Sequence, residues 1–177
     1  MGYTHYFKNI KAPASLEQAE QVQQAIGLVL EYHNGLLQYE YDAELPPVNT
    51  IEEEDGTYHN VIRFNGIEED GHETFYVDTR DGGFNFCKTN RKPYDQAVCE
   101  CLLILKHFLG ADVSSDGFSY PQPSVDFYNP GDTVIDTDLD GTWGAAVNLI
   151  NQQLGTNYNF VVDKVYGDGK YFSYELS

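Results

Sequence analysis

The stretch from Tyr94 to Phe108 constrains the fold of this chain most. Tyr94, Ala97, Val98, Cys101, Ile104, Leu105 and Phe108 recur at helical spacing, Pro93 stands where a first helical turn tolerates it, and Gly110 ends the run. A stripe this continuous needs a surface to cover it, so the helix is expected at the centre of a core. Cys101 lies on the stripe and reads as a small buried hydrophobe, while Cys99 is expected to point elsewhere. With 177 residues, 41% of them hydrophobic, the chain has enough apolar material for one such core and one domain.

The flanking sequence predicts a single α+β domain, a mostly antiparallel sheet packed by about three helices. Ser15 and Gln18 are spaced as a capping box, and Val22, Ile26, Val29, Leu30 and His33 then mark one face of a helix over residues 16–33, closed by Asn34-Gly35. His33 reads as a residue at the edge of that face. Tyr3 to Phe7, Leu36 to Tyr41, Thr57 to Asn65, Glu73 to Asp78 and Phe84 to Lys88 read as strands between Pro- and Gly-containing turns. A long ordered loop is expected over residues 111–135. Trp143, Val147, Ile150 and Leu154 mark a third helix, and a hairpin follows around Gly167-Asp168-Gly169.

Charge narrows the partners. The formal net charge is −18, and residues 40–81 set thirteen carboxylates against two arginines. Such a surface repels nucleic acid, so no direct nucleic-acid binding is expected; it attracts basic proteins instead. The opening residues lack the build of a signal peptide, and no apolar run approaches the roughly 20 residues that span a bilayer, so a cytoplasmic protein without membrane contact is expected. Three cysteines form no disulfide framework and read as reduced thiols.

Residues 82–106 are the one region with a net positive charge, and three of the ten Lys and Arg residues, Lys88, Arg91 and Lys92, precede the central helix. A helix start gathers unpaired N–H groups and the positive end of the macrodipole, so Lys88, Thr89, Arg91, Tyr94 and Asp95 outline an anion-binding site. Glu73 joins Asp95 as a second carboxylate, and Tyr94 or His107 is the group able to donate or accept a proton. Each has a plainer reading: Glu73 a solvent-facing strand residue, His107 a dipole partner at the helix end, Asp95 a charge in the first turn. No catalytic residue, cofactor or resident metal follows from these. Asp136, Asp138, Asp140 and Gly141 match the first, third, fifth and sixth positions of a calcium loop, but Val147 stands where the bidentate Glu is required. Phosphate-loop, dinucleotide and nucleophile-elbow motifs are absent from the sequence. One His-x-Thr, at His72 to Thr74, lacks the second copy that two-histidine phosphodiesterases need.

Four blocks in order carry a family resemblance: Met1-Gly2-Tyr3-Thr4-His5-Tyr6; Ile62 to Gly66 followed by His72 to Phe75; Phe86 to Asp95; and Ser114-Ser115-Asp116-Gly117. Over about residues 1–117 the chain resembles an uncharacterised family of bacterial and bacteriophage proteins. Phe7 departs from the Trp of that pattern, and the Tyr/Asn-rich remainder has no counterpart in it. The resemblance implies an intracellular, phage-borne protein whose polar blocks meet at one site, and no particular activity. Three functions are compatible with these residues: sequestration of a small anionic, nucleotide-like ligand with tyrosines stacking nearby; inhibition of a basic host defence enzyme by the acidic 40–81 surface; or a small hydrolase or transferase using Glu73, Asp95 and His107. The first is preferred, and the oligomeric state is left open.

Overall fold

A computed structural model describes residues 3–41, 45–121, 124–125, 133–134, 142–166 and 171–177. The calcium-loop segment 136–141 and the turn at 167–169 lie outside them. Among the described residues three α-helices and twelve strands follow one another as β1 (Thr4–Lys8), α1 (Leu16–Tyr32), β2 (Leu37–Gln38), β3 (Val48–Glu54), β4 (Thr57–Gly66), β5 (Phe75–Asp78), β6 (Asn85–Lys88), α2 (Asp95–Leu109), β7 (Asp112–Ser115), β8 (Ser119–Pro121), β9 (Ser124–Val125), β10 (Thr133–Val134), α3 (Thr142–Leu154), β11 (Phe160–Tyr166) and β12 (Tyr171–Leu176). The strands pair antiparallel in the orders β6-β1-β7, β2-β4-β3 with β5 also on β4, β11-β12-β8, and β9 with β10. This is the α+β class that the sequence predicted. No helix among the described residues is long and apolar enough to cross a membrane.

The central helix is more deeply enclosed than its stripe required. Every residue from Ala97 to Leu105 is buried, because α1, α3 and β7 pack against the helix, and His5 of β1 reaches Asp95 and Cys99 on it. A helix apolar on one side needs one partner, whereas α2 has three, and its polar residues must then find partners inside the core. Gly110 ends it in the left-handed region at φ 67°, donating its N–H to the Lys106 carbonyl at 3.1 Å, while Ala111 N–H donates to the Leu105 carbonyl at 3.4 Å. Ser15 caps α1 by accepting from Gln18 N–H at 3.2 Å, and the Gln18 side chain accepts from Ala14 N–H at 2.8 Å. His33, at the C-terminal cap of α1, is buried with Nε2 2.9 Å from Glu100 Oε2, which pins α1 to α2.

Two expectations needed revision. Cys99 does not point away from the core; it is as buried as Cys87 and Cys101, all three being free thiols. The strand β3 was missed altogether. Val48-Asn49-Thr50-Ile51-Glu52-Glu53-Glu54 has little apolar alternation because it is an edge strand whose outer side meets water, held by its register against β4 from Val48↔Arg63 to Glu54↔Thr57. The two arginines of this acidic region serve its own acids: Arg63 pairs with Glu40, and Arg80 lies 2.5 Å from Asp78 Oδ2 and 3.0 Å from Glu52 Oε2. The Arg80 hydrogen bonds hold the Asp78 carboxyl below the usual range.

Burial raises the pKa of the Cys87, Cys99 and Cys101 thiols and of the Tyr3 and Tyr94 phenols. A group whose folded pKa lies above its unfolded one contributes stability below the unfolded value and loses it as pH rises. The native state should therefore weaken from about pH 9, where unfolded thiols begin to ionise, and faster above 10, where tyrosines join them. Thermal melts between pH 7 and 10.5 should show that decline, with a flat profile counting against it. Native thiols should resist a disulfide reagent at pH 8 while all three react in guanidinium.

Candidate functional site

The strand β1 divides the region in two by simple alternation. Thr4, Tyr6 and Lys8 face outward, while His5 and Phe7 face α2. The register Thr4↔Lys88, His5↔Cys87, Tyr6↔Phe86 on one side and His5↔Ser115, Tyr6↔Ser114, Lys8↔Asp112 on the other extends this division across the sheet.

On the inner face the polar residues of three sequence blocks meet. His5 Nε2 lies 2.6 Å from Asp95 Oδ1 and His5 Nδ1 lies 2.9 Å from Ser115 Oγ. Thr89 Oγ1 donates to the same Asp95 oxygen, and Cys99 Sγ lies 3.7 Å from His5 Nε2. His5, Thr89, Asp95 and Ser115 are all buried. Ser115 Oγ also accepts from Gly117 N–H at 3.0 Å and from Trp143 Nε1–H at 3.2 Å, so α3 closes the network from the other side. The second Asp95 oxygen is buried and has no hydrogen-bond partner.

Serine, histidine and aspartate in a row suggest a nucleophilic triad, but the serine is unfit for the task. Its two lone pairs already receive Gly117 and Trp143 N–H groups, and the residue is 6% exposed, so no pair is left to attack a substrate. Ser115 orients His5 and does not react.

The turn that joins β6 to α2 wraps round the start of β1. Thr89 and Asn90 N–H both donate to the Tyr3 carbonyl at 3.1 Å. Asn90 and Arg91 take left-handed backbone angles, φ 51° and 58°, unusual for two successive residues with side chains and sustained by those bonds. Arg91 is thereby folded back with its guanidinium 4.5 Å from the Tyr3 ring centre. The start of α2 itself faces the chain's own acid, since Asp95 sits buried in the first turn. The macrodipole that was expected to attract a guest anion thus has a resident one.

The predicted site residues separate accordingly. Thr89 and Asp95 belong to the buried network. Tyr94 is buried and donates its hydroxyl to the Glu73 carbonyl at 2.7 Å, while the Glu73 carboxylate accepts from Lys88 N–H at 2.7 Å, closing the edge of β6. Lys88 lies on the outer face opposite Thr4. His107 is not with them: it stands at the far end of α2, stacked edge-on against Phe108 and Tyr158. A proton relay between Asp95 and His107 is therefore ruled out by the length of the helix, about 18 Å for the twelve helical steps that separate them. Sequence reasoning missed His5 and Ser115, although both lie in the resemblance blocks; their separation of 110 residues hides the contact.

The outer face carries an aromatic surface instead. Tyr6 and Phe84 are stacked at 6.2 Å between ring centres, and Phe86 lies 6.4 Å from Phe84. Phe84 is 67% and Phe86 51% exposed. Beside them opens a groove of about 400 Å³ bordered by Lys8, Lys106, Asp112, Ser114 and Glu175. Comparison of the chain with known protein families, curated proteins and solved structures found no match.

Proposed function

We propose that the protein binds a small anionic, nucleotide-like ligand on the outer face of the β6-β1-β7 sheet. The observation that carries this reading is the Tyr6–Phe84–Phe86 surface, half-buried at Tyr6 and exposed at both phenylalanines, a costly arrangement in water, lying beside a groove with lysines on its border. A flat base stacks on such rings without needing a particular sequence of hydrogen bonds, and a phosphate meets Lys8 or Lys106 at the groove or Lys88 further along the same face. Asp112 and Glu175 on the groove wall suit ribose hydroxyls or base amino groups, and they disfavour heavily charged phosphates. The preferred ligand is accordingly a monophosphate or a cyclic phosphodiester, with triphosphates weaker. In a phage setting, as the family resemblance implies, this activity would remove a host signalling molecule in the cytoplasm.

Isothermal titration with AMP, ATP and a cyclic dinucleotide tests the reading. Phe84→Ala should weaken binding roughly 5- to 150-fold, the usual worth of one base–aromatic stack, while leaving the melting temperature nearly unchanged because the side chain is exposed. Lys8→Ala with Lys106→Ala should weaken it further and flatten its salt dependence. Absence of heat with every nucleotide at millimolar concentration would refute it. The acidic edge strand β3 favours the other reading, an inhibitor of a basic protein. Binding of such a partner would fall steeply with salt and ignore Phe84→Ala.

A further inference from the structure

We propose that His5, Asp95 and Cys99 together hold a divalent transition metal, with zinc the ion that suits them best. The site is separate from the aromatic face and does not depend on it. Asp95 and Cys99 stand four residues apart on α2, one turn above the other on the side that meets β1, and His5 reaches them from that strand. One ligand atom from each lies within 4.8 Å of the other two. With zinc bonds of about 2.0–2.3 Å, the ligand atoms of a tetrahedral site lie roughly 3.3–3.7 Å apart. The His5–Cys99 distance of 3.7 Å already fits. The His5–Asp95 Oδ1 distance of 2.6 Å must open by less than about 1 Å, or the carboxylate must offer its other oxygen.

Three further observations favour a metal over a plain polar cluster. The second Asp95 oxygen is buried with no partner, a cost that a hydrogen-bonded network alone leaves standing and a cation removes. The His5 ring is held from behind by Ser115 at Nδ1, as outer partners of metal-bound imidazoles are, which leaves Nε2 turned to the carboxylate and the thiol. The charges also balance: a carboxylate and a thiolate offset a divalent ion, giving a neutral site where burial penalises any net charge. On binding, Cys99 releases its proton to solvent and the imidazole carries its remaining ring proton on Nδ1, which Ser115 Oγ accepts in exchange for the Trp143 N–H, the longer at 3.2 Å of the two bonds it accepts in the metal-free protein. A mixed imidazole, carboxylate and thiolate set matches a borderline ion, neither magnesium nor calcium.

The test is to refold the full-length chain from guanidinium with Co2+ present, so that the ion enters before the core closes. One Co2+ per chain is expected, with a thiolate-to-cobalt charge-transfer band. Cys99→Ala should abolish that band, Cys101→Ala should retain it, and Ser115→Ala should weaken the affinity roughly 10- to 100-fold. Zn2+ should displace the cobalt and raise the melting temperature of the wild type more than that of Cys99→Ala. A chain that regains its native circular dichroism and binds no cobalt overturns the proposal, and so does a charge-transfer band that survives Cys99→Ala.

Discussion

Replacing His5 with Ala should destabilise the metal-free protein by about 3–5 kcal/mol, the cost of leaving a buried carboxylate without its partner. For a chain of this size that is a fall in melting temperature of roughly 6–20 °C. Asp95 would keep only the Thr89 hydroxyl on one oxygen and nothing on the other. Thr89 is a neutral donor, so it cannot replace the 2.6 Å contact with the imidazole. The matching double variant, His5→Leu with Asp95→Leu, should recover much of the loss, because an apolar pair of similar volume needs no counter-group. Urea denaturation of both single variants and the double one gives the coupling directly. A His5→Ala loss below about 1 kcal/mol would mean that the carboxylate finds water, and the buried network would have to be redrawn.

Trp143→Ala should be nearly as damaging, about 3–5 kcal/mol. The indole is fully buried, meets His5 edge-on at 5.2 Å between ring centres and lies 5.0 Å from Phe118. It is the only tryptophan, so the measurement must be thermal or chemical unfolding followed by far-ultraviolet circular dichroism. Trp143→Phe preserves most of the packing and removes only the N–H donated to Ser115, for a loss near 1 kcal/mol. The two variants together separate the volume of the ring from its single polar contact. They also test whether α3, which follows the last of the resemblance blocks, is needed to complete the polar network.

Much of the architecture was legible because it depends on local periodicity and punctuation. The central helix ended by Gly110, the Ser15 cap and the Trp143 helix all follow from spacing within a few turns, and the structure reproduces them, with α2 starting at Asp95, two residues beyond the Pro93 expected in its first turn. The edge strand β3 was illegible for the opposite reason. Its identity rests on pairing with β4, and its exposed glutamates erase the alternation that would have revealed it. Asp95 stands out in the sequence by its place at a helix start, yet its burial against His5 gives it another role. Lys88 and Arg91 are scarce cations close together in sequence, yet one lies on the outer face of the sheet and the other folds onto Tyr3.

What the chain's order of residues determined alone was the class of fold, the central place of α2 and the unusual concentration of cations before it, since each is a matter of near neighbours and composition. Only the tertiary structure decided which polar groups share a site. His5, Asp95 and Ser115 are brought together by strand register and by the docking of α2 on β1, and alternation along that same strand puts Tyr6 and its aromatic neighbours on the opposite face. Contacts across so many residues arise when long-range pairings are closed by the collapse of the core, and no local pattern in the sequence records them.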